Sequence, residues 1–270
     1  MTLQEILGNE LPRWAQISKD DPVIFTRLAL FRNIKSTRFP SMLQGSEKAK
    51  AAGKLDEAVR YINVHGFGPF IPYSMESLNE EERNVLSEKG FLPEEGRLLD
   101  GNSRLYLNED GSLAIRTNVH DHLAFLGFSG GNTVFSLWKR TARLADEASD
   151  ILDYAFDKEF GYLTASPQFT GSGMKMVSLL FLPGFALHDR IGSLSEFLEL
   201  RGFHLSPAAG ACPSTFWKTP GLWASGKWTT CRSWIKSFRK LRKKRKNSGR
   251  TPSKARRKSF GTASGEPWAP

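Results

Sequence analysis

Cysteine and long apolar runs are what this sequence has least of. Its two cysteines, Cys212 and Cys231, are too far apart to form a Cys-x-x-Cys pair, which argues against a zinc site and against a disulfide framework. No stretch approaches the roughly eighteen apolar residues of a membrane-spanning helix. The first residues, MTLQEILGNELPRWAQ, carry acids where a signal peptide would carry a basic patch and an apolar core. We therefore expect a cytoplasmic location and no membrane span.

The apolar content of the chain is sufficient for a folded core. Of the 270 residues, 40% are hydrophobic, and 19 residues are phenylalanine. A chain of this size can bury enough apolar surface for one large domain or two modest ones. The sequence therefore predicts a globular protein over at least part of its length.

Positive charge is concentrated at one end of the chain. Residues 211–270 hold 16 Lys and Arg against the single acid Glu266, whereas residues 1–210 hold 22 basic and 27 acidic residues. Five of the seven tryptophans also fall in this last segment, without helical or alternating spacing. We predict that residues 1–209 form the folded domain and that residues 210–270 form a disordered basic tail.

The basic tail has three interpretations. Like charges in the run 239–246 repel one another and favour a solvated, disordered tail. The same charges would attract RNA, DNA or anionic lipid by counterion release, most strongly through residues 236–258. The third interpretation is a shifted reading frame, because glutamate-rich codons read one base out give lysine and arginine. Translating the other frames of the gene tests this hypothesis.

Helices and hairpins follow one another in mixed order along residues 1–210. Helical spacing predicts helices over residues 46–64, 77–90, 135–154 and 193–201, with a further helix over 3–17 that Pro12 interrupts. Gly90 is expected just past the end of the helix over 77–90. Strands are predicted over 22–30 and 179–182, and an Asp-Gly turn joins a hairpin of 105–107 and 113–116. This mixture predicts the α+β fold class.

The segment 160–179, FGYLTASPQFTGSGMKMVSL, is the strongest candidate for a binding loop. Gly171 and Gly173 free the backbone amides from side-chain bulk, and Lys175 adds a cation just beyond them. Such a turn suits a polyanion such as a nucleotide phosphate. An ordinary Gly-x-Gly turn between strands is the alternative that this segment alone leaves open.

Three segments, in order, resemble one known family. VIFTRLALFRNIKSTRFP (23–40), TNVHDHLAF (117–125) and GYLTASPQFTGSGMKMVSLLFLP (161–183) resemble the strand, Asn-Glu-Glu-Asp-His and glycine-loop motifs of the ATP:guanidino phosphotransferases, the phosphagen kinases. The likeness is greatest to their bacterial protein-arginine kinase branch and extends over about residues 13–206. It implies a curved antiparallel sheet flanked by helices, with the nucleotide lying across the sheet. It also implies that residues 1–209 are a catalytic domain that is incomplete at its C-terminal end.

The resemblance further implies ATP and Mg²⁺ as cofactors, together with a set of site residues. Positions that match the family's catalytic residues are His120, Asp121 and Ser166, the last standing in place of a cysteine. Positions that match its nucleotide contacts are Thr26, Arg27, His122, Gly171, Gly173 and Lys175. No metal ligand from the protein is expected. The implied substrates are arginine side chains of proteins, and the implied partners are heat-shock repressors, a zinc-containing activator and Clp protease machinery.

Several positions depart from the family pattern. Two of the arginines that grip phosphate in the family fall on Ala29 and Ala124 in this chain. Lys175 replaces another, which preserves the charge but loses the two-pronged geometry of a guanidinium. The two glutamates that clamp the acceptor guanidinium fall on Val119 and His120, and a histidine cannot make the bidentate carboxylate clamp.

These departures predict a degenerate kinase. Removing one electrostatic contact to the reacting group typically costs roughly a hundredfold in rate, so several losses predict weak or absent phosphoryl transfer. The alternatives are an active but weakened protein-arginine kinase and a nucleic-acid-binding protein that acts through the basic tail. Asp121 and His122 are either an ordering pair at the active face or a strand-end motif. Arg27 is either a phosphate contact or a surface ion-pair partner.

Overall fold

Helices and strands alternate along residues 3–7, 14, 22–66, 68–93, 100–207 and 214–218, which this computed structural model describes. The helices are α1 (Leu3–Leu7), α2 (Gly45–Val64), α3 (Glu80–Glu88), α4 (Val134–Ala148), α5 (Pro183–Leu187) and α6 (Ile191–Glu199). The strands are β1 (Val23–Arg32), β2 (Ile71–Ser74), β3 (Arg104–Leu107), β4 (Leu113–Thr117), β5 (Leu123–Gly130), β6 (Phe156–Asp157), β7 (Gly161–Tyr162), β8 (Met174–Phe181), β9 (His204–Pro207) and β10 (Ser214–Lys218). Short 3-10 turns lie at Pro40–Met42 and Pro167–Phe169.

One large antiparallel sheet organises the described part of the chain. Its strand order is β2-β3-β4-β5-β1-β8-β10-β9, and β6 and β7 form a separate pair. The central strand β1 pairs with β5 on one side and with β8 on the other. The predicted hairpin is present as β3 and β4. This architecture confirms the predicted α+β class with an antiparallel sheet flanked by helices.

Each face of the sheet has its own apolar core. Successive residues of a strand point to opposite faces. Leu28 and Leu30 therefore pack in a core shared with α2, α4 and α6, whereas Ala29 and Phe31 pack in a second core that includes residues of α1 and α3. Arg27 shares its face with this second core, and that face carries the cavity described below.

Helix α4 lies directly against the sheet at Gly127 of β5. A Cβ atom at this position would lie 2.2 Å from Thr141 Oγ1 and 2.8 Å from Leu137 Cδ1. No side chain larger than hydrogen fits between the strand and the helix. Leu137 and Leu144 of α4 are almost fully buried at this contact surface, so the helix is held by apolar burial at close range.

Both ends of α3 are capped by local hydrogen bonds. At the N-terminus, Glu82 N donates to Asn79 Oδ1 and Asn79 N donates to Glu82 Oε2, each at 2.9 Å, which forms a capping box. At the C-terminus, Gly90 N donates to the Ser87 carbonyl and Phe91 N donates to the Leu86 carbonyl. Gly90 has φ +84°, so the predicted position of Gly90 just past the helix is confirmed, in a Schellman motif.

Several elements differ from the sequence-based expectations: the predicted strand over 179–182 is the end of the longer strand β8, and strand β5 and helix α4 also differ. Strand β5 was not expected, because LAFLGF is buried on both faces and a continuous apolar run lacks the alternation that indicates a strand. Helix α4 ends at Ala148 rather than near residue 154. The chain beyond it instead pairs with the segment after β1, where Lys35 N donates to the Asp153 carbonyl at 2.8 Å and Ala155 N donates to the Asn33 carbonyl at 2.7 Å.

Part of the predicted basic tail belongs to the sheet. Residues 214–218 form β10, which pairs with both β8 and β9. The rest of the segment 210–270 lies outside the described residues, as does most of the predicted N-terminal helix beyond residue 7, so the domain division at residue 209 stays a prediction. Among the helices described, none is long and apolar enough to cross a membrane.

Candidate functional site

A cavity of about 510 Å³ opens on the face of the sheet opposite α2 and α4. Its floor is formed by side chains of β1, β4, β5 and β8, and its walls by the segment after α3, the β4–β5 turn and residues 165–169. The charged side chains that line it are Arg27, Arg116, Asp121 and Lys175. The described part of the lining therefore combines three cationic groups with a single acid.

Five of the nine sequence-predicted site residues line this cavity. They come from four separate segments and are Arg27, His120, Asp121, Ser166 and Lys175. The antiparallel pairing of β1 with both β5 and β8 brings these segments to one face. The catalytic and nucleotide-binding roles of these residues stay predictions.

Thr26 and His122 lie outside the cavity lining, and Thr26 is on the opposite side of the sheet from Arg27. Both side chains are fully buried. Thr26 Oγ1 hydrogen-bonds to Ser178 Oγ across β1 and β8 at 2.8 Å. The alternation of strand side chains explains the difference, because Thr26 and Arg27 are adjacent in β1 and must point to opposite faces. As the structure stands, neither Thr26 nor His122 can touch a ligand in the cavity.

Gly171 and Gly173 also lie outside the cavity lining, and their backbone groups tie the loop to its neighbours. Gly171 N donates to the Tyr162 carbonyl at 3.0 Å, and Phe31 N donates to the Gly173 carbonyl at 2.6 Å. Arg32 also holds this loop in place. Its Nη1 donates to the Ser172 carbonyl at 3.3 Å, and its guanidinium lies 3.6 Å from the centre of the Tyr162 ring. The loop carbonyls are thus held by the sheet.

Asn33 connects the segment after β1, the β4–β5 turn and residue 163 beside the cavity, and sequence reasoning missed it. Its Nδ2 donates to Asp121 Oδ1 at 2.6 Å and to the Leu163 carbonyl at 3.0 Å. Its Oδ1 accepts from His122 N at 2.9 Å and lies 2.9 Å from His122 Nδ1. Asp121 and His122 are therefore each ordered by Asn33. The Arg-Asn pair that ends the first motif was the available signal.

The carboxylate of Asp121 is already engaged by the protein. Besides the amide of Asn33, Ala165 N donates to the same Oδ1 atom at 2.7 Å. The side chain is buried, and this burial raises the pKa of Asp121 against the opposing effect of the two hydrogen bonds. Asp121 fastens residue 165 to the β4–β5 turn, which leaves it little freedom to clamp a substrate.

Arg116 is the second functional candidate that sequence reasoning missed. It was assigned only to a hairpin strand, and nothing in its local sequence indicates a site. The side chain lines the cavity and is 7% exposed, and its Nη1 donates to the Phe91 carbonyl at 3.1 Å. Burial and the nearby charge of Arg27 lower the pKa of Arg116 to about 10, while Asp121 acts in the opposite direction. The guanidinium therefore remains charged at neutral pH.

The positions of the missing family glutamates contribute no carboxylate to the cavity. Val119 is buried in the second apolar core, and His120 lines the cavity beside Asp121. Among the described lining residues Asp121 is the one acid. Arrays of cationic groups with few carboxylates favour the binding of anions such as phosphate rather than of a guanidinium.

Comparisons with known proteins give a consistent result. The family model for the C-terminal catalytic domain of ATP:guanido phosphotransferases matches residues 56–209. The protein-arginine kinase of Moorella thermoacetica is 30% identical over 187 residues, which cover 67% of this chain and 52% of that protein. The protein-arginine kinase of Symbiobacterium thermophilum is 26% identical over 206 residues, which cover 75% of this chain and 58% of that protein. This chain thus spans little more than half the length of these relatives.

Solved structures show the same fold. The duplicated taurocyamine kinase of Schistosoma mansoni, with bound transition-state-analogue components, superposes with a TM-score of 0.71 at 18% identity, over 91% of this chain and 37% of that one. Lombricine kinase superposes with a TM-score of 0.68 at 14% identity, over 89% of this chain and 71% of that one. The antiparallel sheet, the cavity across it and the match over residues 56–209 agree, and this chain belongs to the ATP:guanido phosphotransferase family.

Proposed function

We propose that this chain is a divergent protein-arginine kinase domain that binds the phosphate groups of a magnesium nucleotide but transfers phosphate to arginine side chains weakly or not at all. One observation carries the proposal. Among its described lining residues the cavity presents three cationic side chains and one acid, Asp121, which already accepts two hydrogen bonds from the protein through Oδ1.

Phosphoryl transfer to a guanidinium has two electrostatic requirements. The moving phosphoryl group needs cations around its oxygens. The acceptor needs a carboxylate that holds it by paired hydrogen bonds and receives its proton. Arg27, Arg116 and Lys175 answer the first requirement. Among the described residues of the cavity the second is not answered, because Val119 is apolar and Asp121, whose Oδ1 already accepts two hydrogen bonds, cannot present two unengaged oxygens to a guanidinium.

The cavity fits a nucleotide phosphate better than it fits a metal held by the protein. Mg²⁺ is usually bound by one or two carboxylates together with substrate phosphates and water. In the described residues no cluster of three or more His, Cys, Asp or Glu could hold a metal ion. Mg²⁺ would therefore enter with the nucleotide, held by the phosphate oxygens, while Arg27 and Lys175 contact the remaining anionic oxygens.

Two measurements on the pure full-length chain test the proposal. Calorimetry should detect binding of Mg-ADP. Incubation with Mg-ATP and an arginine-rich protein should yield acid-labile phosphoarginine at least about a hundredfold more slowly than an active protein-arginine kinase assayed in parallel. Phosphoarginine formation at the rate of the active enzyme would contradict the loss of transfer. Absence of Mg-ADP binding would contradict the nucleotide part.

The variant His120→Glu sharpens the test. It places a carboxylate at one of the two positions where the family has glutamate, next to Asp121 in the cavity wall. If the missing carboxylate limits transfer, this variant should form phosphoarginine faster than the unaltered chain while its affinity for Mg-ADP changes little. The matched control His65→Glu lies at the exposed end of α2 and should alter neither quantity.

A second candidate function rests on the charge of the C-terminal segment. Residues 211–270 carry 16 basic residues and one acid. We propose nonspecific nucleic-acid binding through residues 236–258 as the alternative, with affinity that falls steeply as salt rises. Deleting residues 219–270 should abolish RNA binding in this case. Equal RNA binding by the deleted chain would contradict it. Protein partners and a cytoplasmic location remain proposals that follow from the resemblance.

A further inference from the structure

We propose that the outward face of α4 is a self-complementary surface that pairs antiparallel with the same face of a second copy of this chain. The partner is thus another molecule of this protein, related to the first by a two-fold axis that passes the middle of the helix. The surface includes no residue of the cavity lining, so its role is independent of the nucleotide function.

One side of α4 faces away from the rest of the protein. Helix positions three, four and seven residues apart lie on the same side. The side that is buried against the sheet carries Leu137, Thr141, Leu144 and Ala148. The opposite side carries four exposed residues, Phe135, Lys139, Arg143 and Asp146, and the exposed Asp150 follows just beyond the helix. We call these five residues the outward stripe.

Charges of opposite sign occupy separate halves of the outward stripe. Residues 139–143 contain three cations and no acid, whereas residues 146–150 contain three acids and no cation. Two copies of α4 that lie antiparallel therefore place a positive half against a negative half twice, whereas parallel copies would place like charges together. The order of the charges thus favours an antiparallel pair.

The helix dipole shows that this order of charges does not serve α4 itself. Acids stabilise the first turn of a helix and cations stabilise its last turn. Helix α3 follows the rule, with three glutamates in its first turn. Helix α4 has no acid in its first turn and no basic residue in its last, and instead Asp146 and Glu147 lie in the last turn. An order of charges that weakens the helix but makes its face self-complementary points to association between copies.

The spacing of the outward stripe defines one register for the two helices. Lys139 and Asp146 lie equally far on either side of a point between Ala142 and Arg143. A two-fold axis at this point places Lys139 of each copy opposite Asp146 of the other. Ala142 is partly buried against the core, and its small side chain lets the helices approach at the axis. Arg143 is balanced within its own helix by Glu147, because Arg143 Nε lies 3.5 Å from Glu147 Oε1.

Exposed apolar side chains stand at both ends of the outward stripe. Phe135 is 39% exposed at one end, and Ile151 is 41% exposed just beyond the other. The Phe135 ring is held in place by Trp138, whose ring centroid lies 6.1 Å away, and by Lys139, whose Nζ lies 4.7 Å from the centre of the ring. Antiparallel pairing brings Phe135 of each copy to the Ile151 end of the other, which buries apolar surface on both sides of the charged centre.

The two signs of charge distinguish a second copy from a polyanion such as RNA or an acidic peptide. A polyanion that lay along α4 would be attracted by residues 139–143 and repelled by residues 146–150. A partner with charges in the reverse order matches the whole stripe, and the same helix turned end to end has that order. Residues 135–150 span about 22 Å, so the interface is small and we expect a weak dimer that is sensitive to salt.

Sedimentation velocity on the full-length chain measures the association. The unaltered chain should dimerise at low salt as its concentration rises to roughly 300 μM, and about 0.5 M salt should dissociate the dimer. The variants Lys139→Glu and Asp146→Lys should each weaken the dimer about tenfold or more, because two attractive pairs become repulsive. The controls Lys158→Glu and Glu88→Lys make the same charge changes at exposed positions outside α4 and should change the dissociation constant by no more than about twofold.

Exchange of the two charges separates this pairing from other modes of association. The double variant Lys139→Glu with Asp146→Lys reverses both pairs together and should dimerise like the unaltered chain. An equimolar mixture of the two single variants should form a mixed dimer although neither variant dimerises alone, because every facing pair in the mixture is again opposite in sign. This recovery would also show that both single variants are folded.

Four results would overturn the proposal. The first is an unaltered chain that stays monomeric at roughly 300 μM and low salt. The second is association that both single variants leave intact, which would place the contact elsewhere, as in the basic segment 211–270. The third is loss of the dimer in both single variants without recovery in the double variant or in the mixture. The fourth is RNA or an acidic peptide that binds a monomeric unaltered chain and is lost in Lys139→Glu, which would assign this face to a polyanion.

Discussion

At the scale of single residues, hydrogen bonding of buried polar groups decides which side chains remain available for a ligand. Asn33 and Ala165 occupy the Asp121 carboxylate, and Asn33 also orders His122. Arg116 keeps a donor without a partner. The first arrangement builds the wall of the cavity, whereas the unpartnered Nε donor of Arg116 is enclosed by the protein.

His122 provides a test of this network through pH. Nδ1 of His122 lies 2.9 Å from Asn33 Oδ1 and 3.4 Å from Ile34 N, and Nε2 is buried without a hydrogen-bond partner. Burial lowers the pKa of His122 to about 4 from 6.5. Between these values the unfolded chain binds a proton that the folded chain does not, so the free energy of unfolding should decrease as the pH falls from 6.5 to 4.

The expected loss is about 2 to 3 kcal/mol over this range, measured by urea unfolding at a series of pH values. The variant His122→Asn lacks the titrating group and should show a correspondingly smaller pH dependence. Asp121, whose pKa burial raises, contributes with the opposite sign and is common to both proteins. Parallel pH profiles for the two proteins would contradict the buried neutral state of His122.

At the scale of elements, α3 links local capping to the site. Its C-terminal Schellman motif requires a residue with positive φ, and Gly90 has φ +84°. The same residue lies against the Arg27 guanidinium. A feature of helix termination, which the sequence indicates, thus also sets the position of a cation in the cavity.

We predict that Gly90→Ala destabilises the protein by about 1 to 2 kcal/mol, because an L-residue at this φ is strained. It should also weaken Mg-ADP binding, because the new Cβ displaces Arg27. The matched control Asn79→Ala removes the N-terminal cap of the same helix at a similar cost of about 1 kcal/mol, and it should leave binding unchanged. Denaturant unfolding and calorimetry on both variants provide the measurements; equal effects on binding would contradict the role of Gly90.

At the scale of the whole molecule, the sheet extends beyond the segment that the family motifs cover. β10 lies between β8 and β9, so β9 joins the sheet through β10 alone among the described strands. The positive segment therefore contributes at least five residues to the fold. The last part of the domain depends on a strand that composition alone assigned to a tail.

Two truncations test this contribution. A chain of residues 1–218 keeps β10 and should melt within a few degrees of the full-length chain. A chain of residues 1–207 loses the pairings of β10 with β8 and β9, and its melting temperature should fall by about 5 °C or more. Circular dichroism measures both. Equal melting temperatures for residues 1–207 and 1–218 would show that β10 adds no stability.

The site was only partly predictable because predicted residues that are adjacent in sequence separate in space. Arg27 and Lys175 reach the cavity as expected, whereas Thr26 points to the opposite face and His122 is buried beside Asn33. Strand alternation is a certain rule, but it requires knowledge of which face carries the ligand. A sequence motif includes both the residue that reaches the site and its neighbour that points to the other face, and the motif alone does not distinguish them.

The sequence by itself determined the family, the α+β class, the cap at Gly90 and the loss of the two glutamates, because each is recorded in local residue types and spacing. Only the tertiary structure decided that Arg116 of β4 meets Arg27 of β1. These strands are separated by β5 and lie roughly 10 Å apart across the sheet. The two side chains come together at the C-terminal end of α3, where Arg116 Nη1 donates to the Phe91 carbonyl and Arg27 lies against Gly90. Convergence of this kind depends on long-range packing, which no local pattern encodes.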